Sequence, residues 1–250
     1  MIFQEPDRTQ WDLNFRLFGV DVRVHPLFWI FSILISGEES PKFILVAVAA
    51  MFLSILIHEF GHVLAFRRYG MPSHIVLHAF GGLAIPNGMR NVYGSARRFS
   101  PAGSAFVAFA GPALEIAAAF LLLGLVYVAG GIVRIVPGGL IGFTAVAGFQ
   151  GFEFLNLFIN IFVQLSIIWG VLNLLPIIPL DGGRISEYLF DRYGPADSRR
   201  QAVVVSLITA ILAGLYLFQV TRSLMTLVLF GYLAYVNFQA LQSLSGGRRW

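Results

Sequence analysis

Long apolar runs, separated by short polar segments, dominate the pattern of this chain. A helix that crosses a membrane needs about 20 mainly apolar residues. Five runs have this character: 42–66, 104–129, 154–175, 202–220 and 223–241. A sixth run, 24–36, is shorter. The pattern predicts an all-α polytopic membrane protein with about six transmembrane helices and a small interfacial β-hairpin or sheet.

The β-structure is predicted from shorter periodicities between these runs. In the 71–87 segment, two β-prone runs flank Gly81-Gly82, which is typical of a hairpin. The 131–151 segment is apolar but rich in glycine, so we expect a loop there that could re-enter the membrane. An interfacial strand is predicted near the N-terminus, where four apolar residues alternate approximately with polar ones: Phe15, Leu17, Val22 and Val24.

A single membrane-embedded domain over 1–250 is expected, because no repeat, low-complexity tail or domain-sized polar stretch interrupts the chain. Three parts are expected outside the bilayer on the cytoplasmic side: an N-terminal segment 1–23, a hairpin loop 71–98 and a loop 180–201. The early glycines of the last loop should stop the preceding helix, and its balanced charges suit a solvated surface.

Composition agrees with a membrane protein. The chain is 57% hydrophobic and 12% charged, whereas an average soluble domain is about a quarter charged. It contains no cysteine, so any metal must be bound by histidine and carboxylate side chains. We expect no secretory signal peptide, since the N-terminus lacks an apolar core followed by a small-residue cleavage site.

Cationic residues support the six-span topology. Lys and Arg concentrate on the cytoplasmic side of membrane proteins, and six spans would place 14 of the 17 on one side. The other side would carry Lys42, Arg134 and Arg222. This division predicts that both termini are cytoplasmic. No block of basic residues could follow a nucleic-acid backbone, so nucleic acid is not an expected partner.

Polar chemistry inside the first long apolar run is concentrated in the sequence HEFGH. On a helix, His58 and His62 lie one turn apart on the same face, where both imidazoles can bind one zinc ion. Glu59 lies about 100° around the helix axis and could act as general base toward water activated by the metal. Gly61 would leave room beside the metal for a substrate backbone.

A plainer explanation is that these polar side chains bond neighbouring helices, as isolated intramembrane histidines often do. Each ionisable side chain at the bilayer centre costs about 2.5 to 3.5 kcal/mol on insertion scales. Three together therefore indicate a function or a bound cation.

A third zinc ligand must come from elsewhere in the chain. His58 precedes Arg67 by nine residues and so lies roughly 13 Å inside the cytoplasmic end of its helix. A partner must reach that depth, and the candidates are His25, His74, His78, Glu115, Glu153 and Asp181. Asp181 follows NLLPIIPLDGG, in which two prolines break the helix before it emerges, so this carboxylate could remain below the membrane surface.

HEFGH together with N-x-x-P-x-x-P-L-D-G-G resembles the site-2 protease family of intramembrane zinc metalloproteases. The resemblance implies His58, His62 and Asp181 as ligands of one Zn²⁺ per chain, and Glu59 as the catalytic carboxylate. The segments LFGVDVRVHPLFW, LHAFGG and FAGPALE extend it over nearly the whole chain. They resemble the compact six-span branch, without the PDZ insert or the C-terminal regulatory domain that many relatives carry.

Glu115 departs from the family pattern, which has an asparagine at the end of the segment matching FAGPALE. A carboxylate here could be protonated and hydrogen-bonded, could pair with a cation, or could bind zinc in place of Asp181. Asp181 is favoured as the third ligand. Compared with the family pattern, this substitution is expected to affect substrate binding, and to a lesser degree activity.

Other polar residues have plainer interpretations. His74 and His78 are expected to be surface histidines of a glycine-rich hairpin, and His25 an interfacial residue without a special role. Asn156, Asn160 and Gln164 form a stripe with helical spacing, and interhelical hydrogen bonds explain it better than a water path does.

The sequence therefore predicts an intramembrane zinc endopeptidase of a prokaryotic plasma membrane, which hydrolyses peptide bonds in or near transmembrane segments of membrane-anchored proteins. Its partners would be a transmembrane protein substrate and the lipid bilayer, and its oligomeric state is left open. Two alternatives are a zinc-binding but proteolytically inactive protein that binds clients, and a membrane zincin with Glu115 as third ligand that acts on soluble or lipidated peptides.

Overall fold

The computed structural model describes residues 5–36, 40–87, 100–194 and 197–246. The ends of the predicted N-terminal segment and hairpin loop, 1–4 and 88–98, lie outside the described residues, as do 195–196 of the predicted cytoplasmic loop. The helices are α1 Pro26–Ser36, α2 Pro41–Arg68, α3 Pro101–Val128, α4 Glu153–Asn173, α5 Asp181–Tyr193, α6 Ser198–Thr221 and α7 Leu224–Gly246. The strands are β1 Leu13–Leu17, β2 Val20–Val24, β3 Ser73–His78, β4 Gly81–Pro86, β5 Ile132–Pro137 and β6 Phe143–Gly148.

The predicted class, a polytopic helical membrane protein with a small sheet, is confirmed. Among the described residues, five helices are long and apolar enough to cross a membrane: α2, α3, α4, α6 and α7. The short sixth run forms α1, which has only 11 residues. Large apolar side chains are exposed on the long helices, as expected for surfaces that contact lipid: Leu45, Phe120, Leu121, Leu212, Leu215 and Val228.

A four-stranded sheet in the order β1-β2-β3-β4 contains the predicted hairpin, β3 with β4. The N-terminal region contributes two strands rather than one, because Phe18 and Gly19 adopt positive φ and turn the chain back. β2 then pairs in parallel with β3. Valines of β2 pack with Ile75 and Leu77 of β3 against Leu56 and Val63 of α2, so the sheet lies on the helix that carries HEFGH.

The 131–151 segment is a β-hairpin, and the prediction of a loop was wrong. β5 and β6 pair from Ile132↔Gly148 to Pro137↔Phe143. The glycines with positive φ lie in the turn or after β6 rather than within the strands, so their number did not prevent pairing. Asn156 and Asn160 hydrogen-bond the backbone of Phe149 and Ala147 at distances from 2.7 to 2.9 Å. The expected interhelical role of these asparagines is replaced by this attachment of the hairpin to α4.

The chain divides into two compact units. The first comprises Met1–Arg97 and Ala110–Gly170, and the second comprises Arg98–Phe109 and Val171–Trp250. In the second, α6 packs on both α5 and α7. The 180–201 segment, expected as a solvated loop, contains the 13-residue α5, whose first residue is Asp181. The single domain over 1–250 stays a prediction.

His78 is buried, with 6% of its surface exposed, so the expectation of a surface histidine was wrong for this residue. Its strand lies in the interior of the sheet order, between β2 and β4. Burial, and then the charges of His25 and Arg23, lower the pKa of His78 from 6.5 to about 4. His74 is more exposed, and its Nδ1 lies 2.7 Å from Oδ1 of Asn87.

We expect His78 to make stability depend on pH between about 6.5 and about 4. In this window the unfolded chain binds a proton that the folded protein does not, so stability falls as the pH falls. The loss over the whole window is at most about 3 kcal/mol. Thermal unfolding of the detergent-solubilised protein at a series of pH values measures it, and His78→Gln should flatten the dependence. An equal pH slope in wild type and His78→Gln would contradict the assignment.

Candidate metal centre

Helix α2 brings His58, Glu59 and His62 together. One ligand atom from each lies within 4.8 Å of the others, and all three residues are buried. The i, i+4 spacing places the two imidazoles edge to face, with ring centroids 4.9 Å apart. Among the residues that the structure describes, no second group of three or more histidine or carboxylate side chains comes within reach of a common ion.

The imidazoles of His58 and His62 face the same point on α3. A Cβ built on Gly111 would lie 3.0 Å from Nε2 of His58 and would overlap Nε2 of His62. The two Nε2 atoms therefore converge on a space beside Gly111. Only a residue without a side chain leaves that space open, and sequence reasoning did not identify it.

Gly61 has a different role from the predicted one. A Cβ here would overlap the carbonyl oxygen of Ala110 and would lie 2.7 Å from Cα of Gly111. The space beside Gly61 is thus occupied by the α3 backbone, and the expectation of room for substrate at this position was wrong. The glycine permits close approach of α2 and α3.

Glu115 contacts His58 rather than joining the three-residue group. Its Oε2 lies 2.8 Å from Nδ1 of His58, and its Oε1 accepts a hydrogen bond from Ser54 at 2.7 Å. Ser54 also lies 2.8 Å from Ser166 of α4. The side chain of Glu115 is fully buried, and both of its oxygens are used. Both carboxylate oxygens of Glu115 are therefore already engaged by side chains of α2.

Ser54 and Ser166 were not identified from the sequence. Ser54 precedes His58 by four residues, so the helical spacing that identified the histidines also placed this hydroxyl on their face. Serines are nevertheless common in transmembrane helices, and nothing in the sequence indicated a carboxylate partner for either one.

Glu59 lies beside the sheet. A Cβ on Gly82 of β4 would lie 2.6 Å from both Cδ and Oε1 of Glu59, so this strand passes directly over the carboxylate. β4 is the last strand in the sheet order, and its outer edge has no strand partner among the described residues. The carboxylate thus lies against the strand that ends the described sheet.

Asp181 lies in the second unit, as the first residue of α5. The preceding segment is held by buried polar groups of the same unit. The N–H of Ile178 donates to Ser206 and its carbonyl oxygen accepts from Asn237, each at 2.7 Å. Ser206 in turn donates to Asn237. Both backbone polar groups of Ile178 are therefore fixed three residues before Asp181.

The residues of α2 fit a zinc ion. Two imidazole Nε2 atoms converge on a space that a single Cβ would fill, and the Nδ1 of one of them is already bonded to a carboxylate. Zinc is bound by histidine nitrogen and carboxylate oxygen, and its histidine ligands commonly donate their second N–H to such a partner. The donor set excludes a thiolate centre because the chain has no cysteine.

Comparisons with known proteins agree with this chemistry. Residues 46–215 match the sequence profile of peptidase family M50. A zinc metalloprotease of Methanocaldococcus jannaschii is 25% identical over 193 residues, which cover 75% of this chain and 48% of that protein. The chain thus aligns with about half the length of this curated relative.

A solved structure, the site-2 protease from Methanocaldococcus jannaschii, has a similar fold. The TM-score is 0.54 at 20% identity, and the match covers 92% of this chain and 95% of the solved one. At this identity the similarity supports the fold alone.

Proposed function

Because the chain belongs to peptidase family M50, the site-2 protease family of zinc metalloproteases, we propose that it is an intramembrane zinc endopeptidase. It would hydrolyse peptide bonds in or near transmembrane segments of membrane-anchored proteins. The observation that carries this proposal is the convergence of His58, Glu59 and His62 inside a 28-residue apolar helix. Three buried ionisable groups at that depth are costly unless they perform a function.

His58, His62 and Asp181 are proposed to hold one Zn²⁺ per chain, with Glu59 as the catalytic carboxylate. The chemistry that zinc supplies in such a site is Lewis-acid polarisation of a carbonyl and activation of water. The two imidazoles hold the ion through Nε2, which both direct to the space beside Gly111. Asp181 supplies an oxygen donor from the start of α5.

Glu59 is proposed to accept, on a carboxylate oxygen, the proton that the attacking water molecule loses, and to transfer it to the leaving amine. Its burial supports this role, because it is 4% exposed and bulk water does not solvate it freely. Its position under Gly82 also supports it, since a peptide lying along β4 would pass close to the carboxylate.

The substrate is proposed to bind as an added strand along β4. A transmembrane helix must unwind before its carbonyls can react, and the released N–H and C=O groups need partners in the bilayer. A strand edge supplies such partners, because its own N–H and C=O groups can hydrogen-bond an extended peptide as a further strand would. The proximity of Gly82 to Glu59 would place the unwound segment beside the reactive groups.

Proline substitutions along β4 test this binding mode. In an antiparallel pair, alternate residues direct their N–H toward the partner strand or away from it. Leu83→Pro, Ala84→Pro and Ile85→Pro therefore divide into variants that lose an N–H directed toward β3 and variants that lose an N–H directed away from it. We expect loss of an N–H directed away from β3 to reduce cleavage about tenfold or more, while zinc content and thermal stability stay unchanged. Normal cleavage by all three variants would rule out strand addition.

The protein is an integral membrane protein, as its five spanning helices and its family indicate. We propose a prokaryotic plasma membrane as its location, with both termini in the cytoplasm, an orientation that counts the short apolar helix α1 as a sixth crossing beside the five long helices. The proposed orientation rests on the distribution of cationic residues. Its partners would then be a transmembrane substrate and the surrounding lipid.

Metal removal from the purified protein tests the proposed activity. The protein is reconstituted in vesicles with single-span model substrates that carry a helix-destabilising Asn-Pro step. Treatment with 1,10-phenanthroline should abolish cleavage, and Zn²⁺ added after removal of the chelator should restore it. Cleavage that persists without metal, or zinc-loaded protein that cleaves none of the substrates, would contradict the proposal.

A further inference from the structure

Glu115 is the fully buried carboxylate to which the proposed reaction assigns no step. It lies on α3, four residues after Gly111, and its two oxygens contact residues of α2. Its position at the end of FAGPALE is where the family pattern has an asparagine. At the position where this chain differs from the family pattern, the structure therefore has a carboxylate within hydrogen-bond distance of His58.

The direction of the hydrogen bonds follows from the donors present. Ser54 donates its hydroxyl hydrogen to Oε1 of Glu115. Having used its hydrogen, Ser54 accepts from Ser166, whose Oγ lies 2.8 Å away. An ionised carboxylate only accepts, and the Nδ1–H tautomer of His58 is the one that gives Oε2 a donor across their 2.8 Å contact.

Placing the proton on Nδ1 decides which nitrogen of His58 can bind a cation. A neutral imidazole carries one N–H, so Nε2 then keeps its lone pair. That atom is the one that faces Gly111 together with Nε2 of His62. Ring rotation is also restricted, because Nδ1 is held by a carboxylate that is itself fixed by the hydroxyl of Ser54.

We propose that Glu115 is a positioning residue that holds His58 in its Nδ1–H tautomer and in the orientation that directs Nε2 to the metal, with Ser54 and Ser166 fixing the carboxylate. The inference rests on the proposed function, since it takes His58 as a zinc ligand. It assigns a role to the glutamate that replaces the asparagine of the family pattern. Carboxylate partners of this kind raise the affinity of histidine for zinc.

The first test is ¹⁵N NMR of histidine-labelled, metal-free protein. The His58 signals are assigned by their loss in His58→Ala. Wild type should show the Nδ1–H tautomer, and Glu115→Leu should shift His58 toward the Nε2–H form that predominates in water. Ser54→Ala, which removes one support of the carboxylate, should give an intermediate result. A His58 spectrum that is the same in wild type and all variants would overturn the proposal.

Zinc affinity, measured by competition with a chelator, is the second test. Glu115→Leu should weaken binding about 10- to 100-fold, and Glu115→Gln, which retains an acceptor oxygen, should weaken it less. Glu153→Gln is the matched control, because Glu153 is exposed at the start of α4. The absorption spectrum of Co²⁺-substituted protein should change with Glu115→Gln and not with Glu153→Gln.

The outcomes separate this proposal from the proposed function. Wild-type affinity and Co²⁺ spectra in Glu115→Gln and Ser54→Ala would overturn the positioning role while leaving the zinc site intact. Failure of the wild type to bind zinc would instead overturn the proposed function. If Glu115→Leu does not fold, Glu115→Gln and Ser54→Ala decide the question, because both retain side chains of nearly wild-type size.

Discussion

Replacement of Glu59 by glutamine is expected to reduce cleavage about 100- to 10,000-fold, the usual contribution of a general acid or base, while zinc content stays at the wild-type level. Glutamine has the same shape, so it preserves the packing of this side chain against Gly82 of β4. It cannot take up a proton at the position of the carboxylate. The step that Glu59 is proposed to perform would therefore be lost without loss of the site.

The measurement compares initial rates of cleavage in vesicles with zinc content determined by mass spectrometry on the same samples. Glu153→Gln, the same chemical change at an exposed position, serves as control and should behave as wild type. Full cleavage by Glu59→Gln would remove this residue from the reaction. If the wild type also cleaves nothing and the variant retains its function in cells, the protein is a zinc-binding membrane protein that retains clients.

Replacement of Asp181 by alanine is expected to lower zinc affinity by more than the roughly 100-fold that loss of a group hydrogen-bonded to a zinc ligand can cause. The reason is that a structural or catalytic zinc site needs at least three protein ligands, and α2 supplies two imidazoles. The backbone groups of Ile178 are held by Ser206 and Asn237, so the loop should keep its conformation when the carboxylate is removed.

Asp191→Ala is a matched control for this variant, because Asp191 lies exposed near the other end of α5. It should bind zinc as the wild type does. Retention of zinc by Asp181→Ala together with complete loss in Glu115→Ala would assign the third ligand to Glu115. That result would also favour a zincin of the glutamate-ligated type, which could act on soluble or lipidated peptides.

The long helices followed from local properties of the sequence. Hydropathy over about 20 residues decides whether a helix can lie in lipid, and no distant contact is needed for that decision. The i, i+4 spacing likewise placed His58 and His62 on one face of α2 before any packing was known. The β3–β4 hairpin was predicted from two apolar runs around adjacent glycines, which again is a local pattern.

The rotation of each spanning helix about its axis could not be predicted in the same way. A membrane helix is apolar on nearly every face, so hydropathy does not identify the side that contacts protein. The contacts of Gly111 with the imidazoles and of Glu115 with His58 depend on that rotation. For the same reason, sequence reasoning placed substrate beside Gly61, where the structure has the backbone of α3.

The sequence by itself determined that the chain crosses a membrane several times and that α2 carries two imidazoles and a carboxylate suited to a divalent ion. Only the tertiary structure decided which groups surround them: Gly111 at the Nε2 atoms, Gly82 over Glu59 and Glu115 at Nδ1 of His58. Helix formation is driven by neighbours along the chain, whereas these contacts join residues separated by more than 20 positions, and packing alone brings them together.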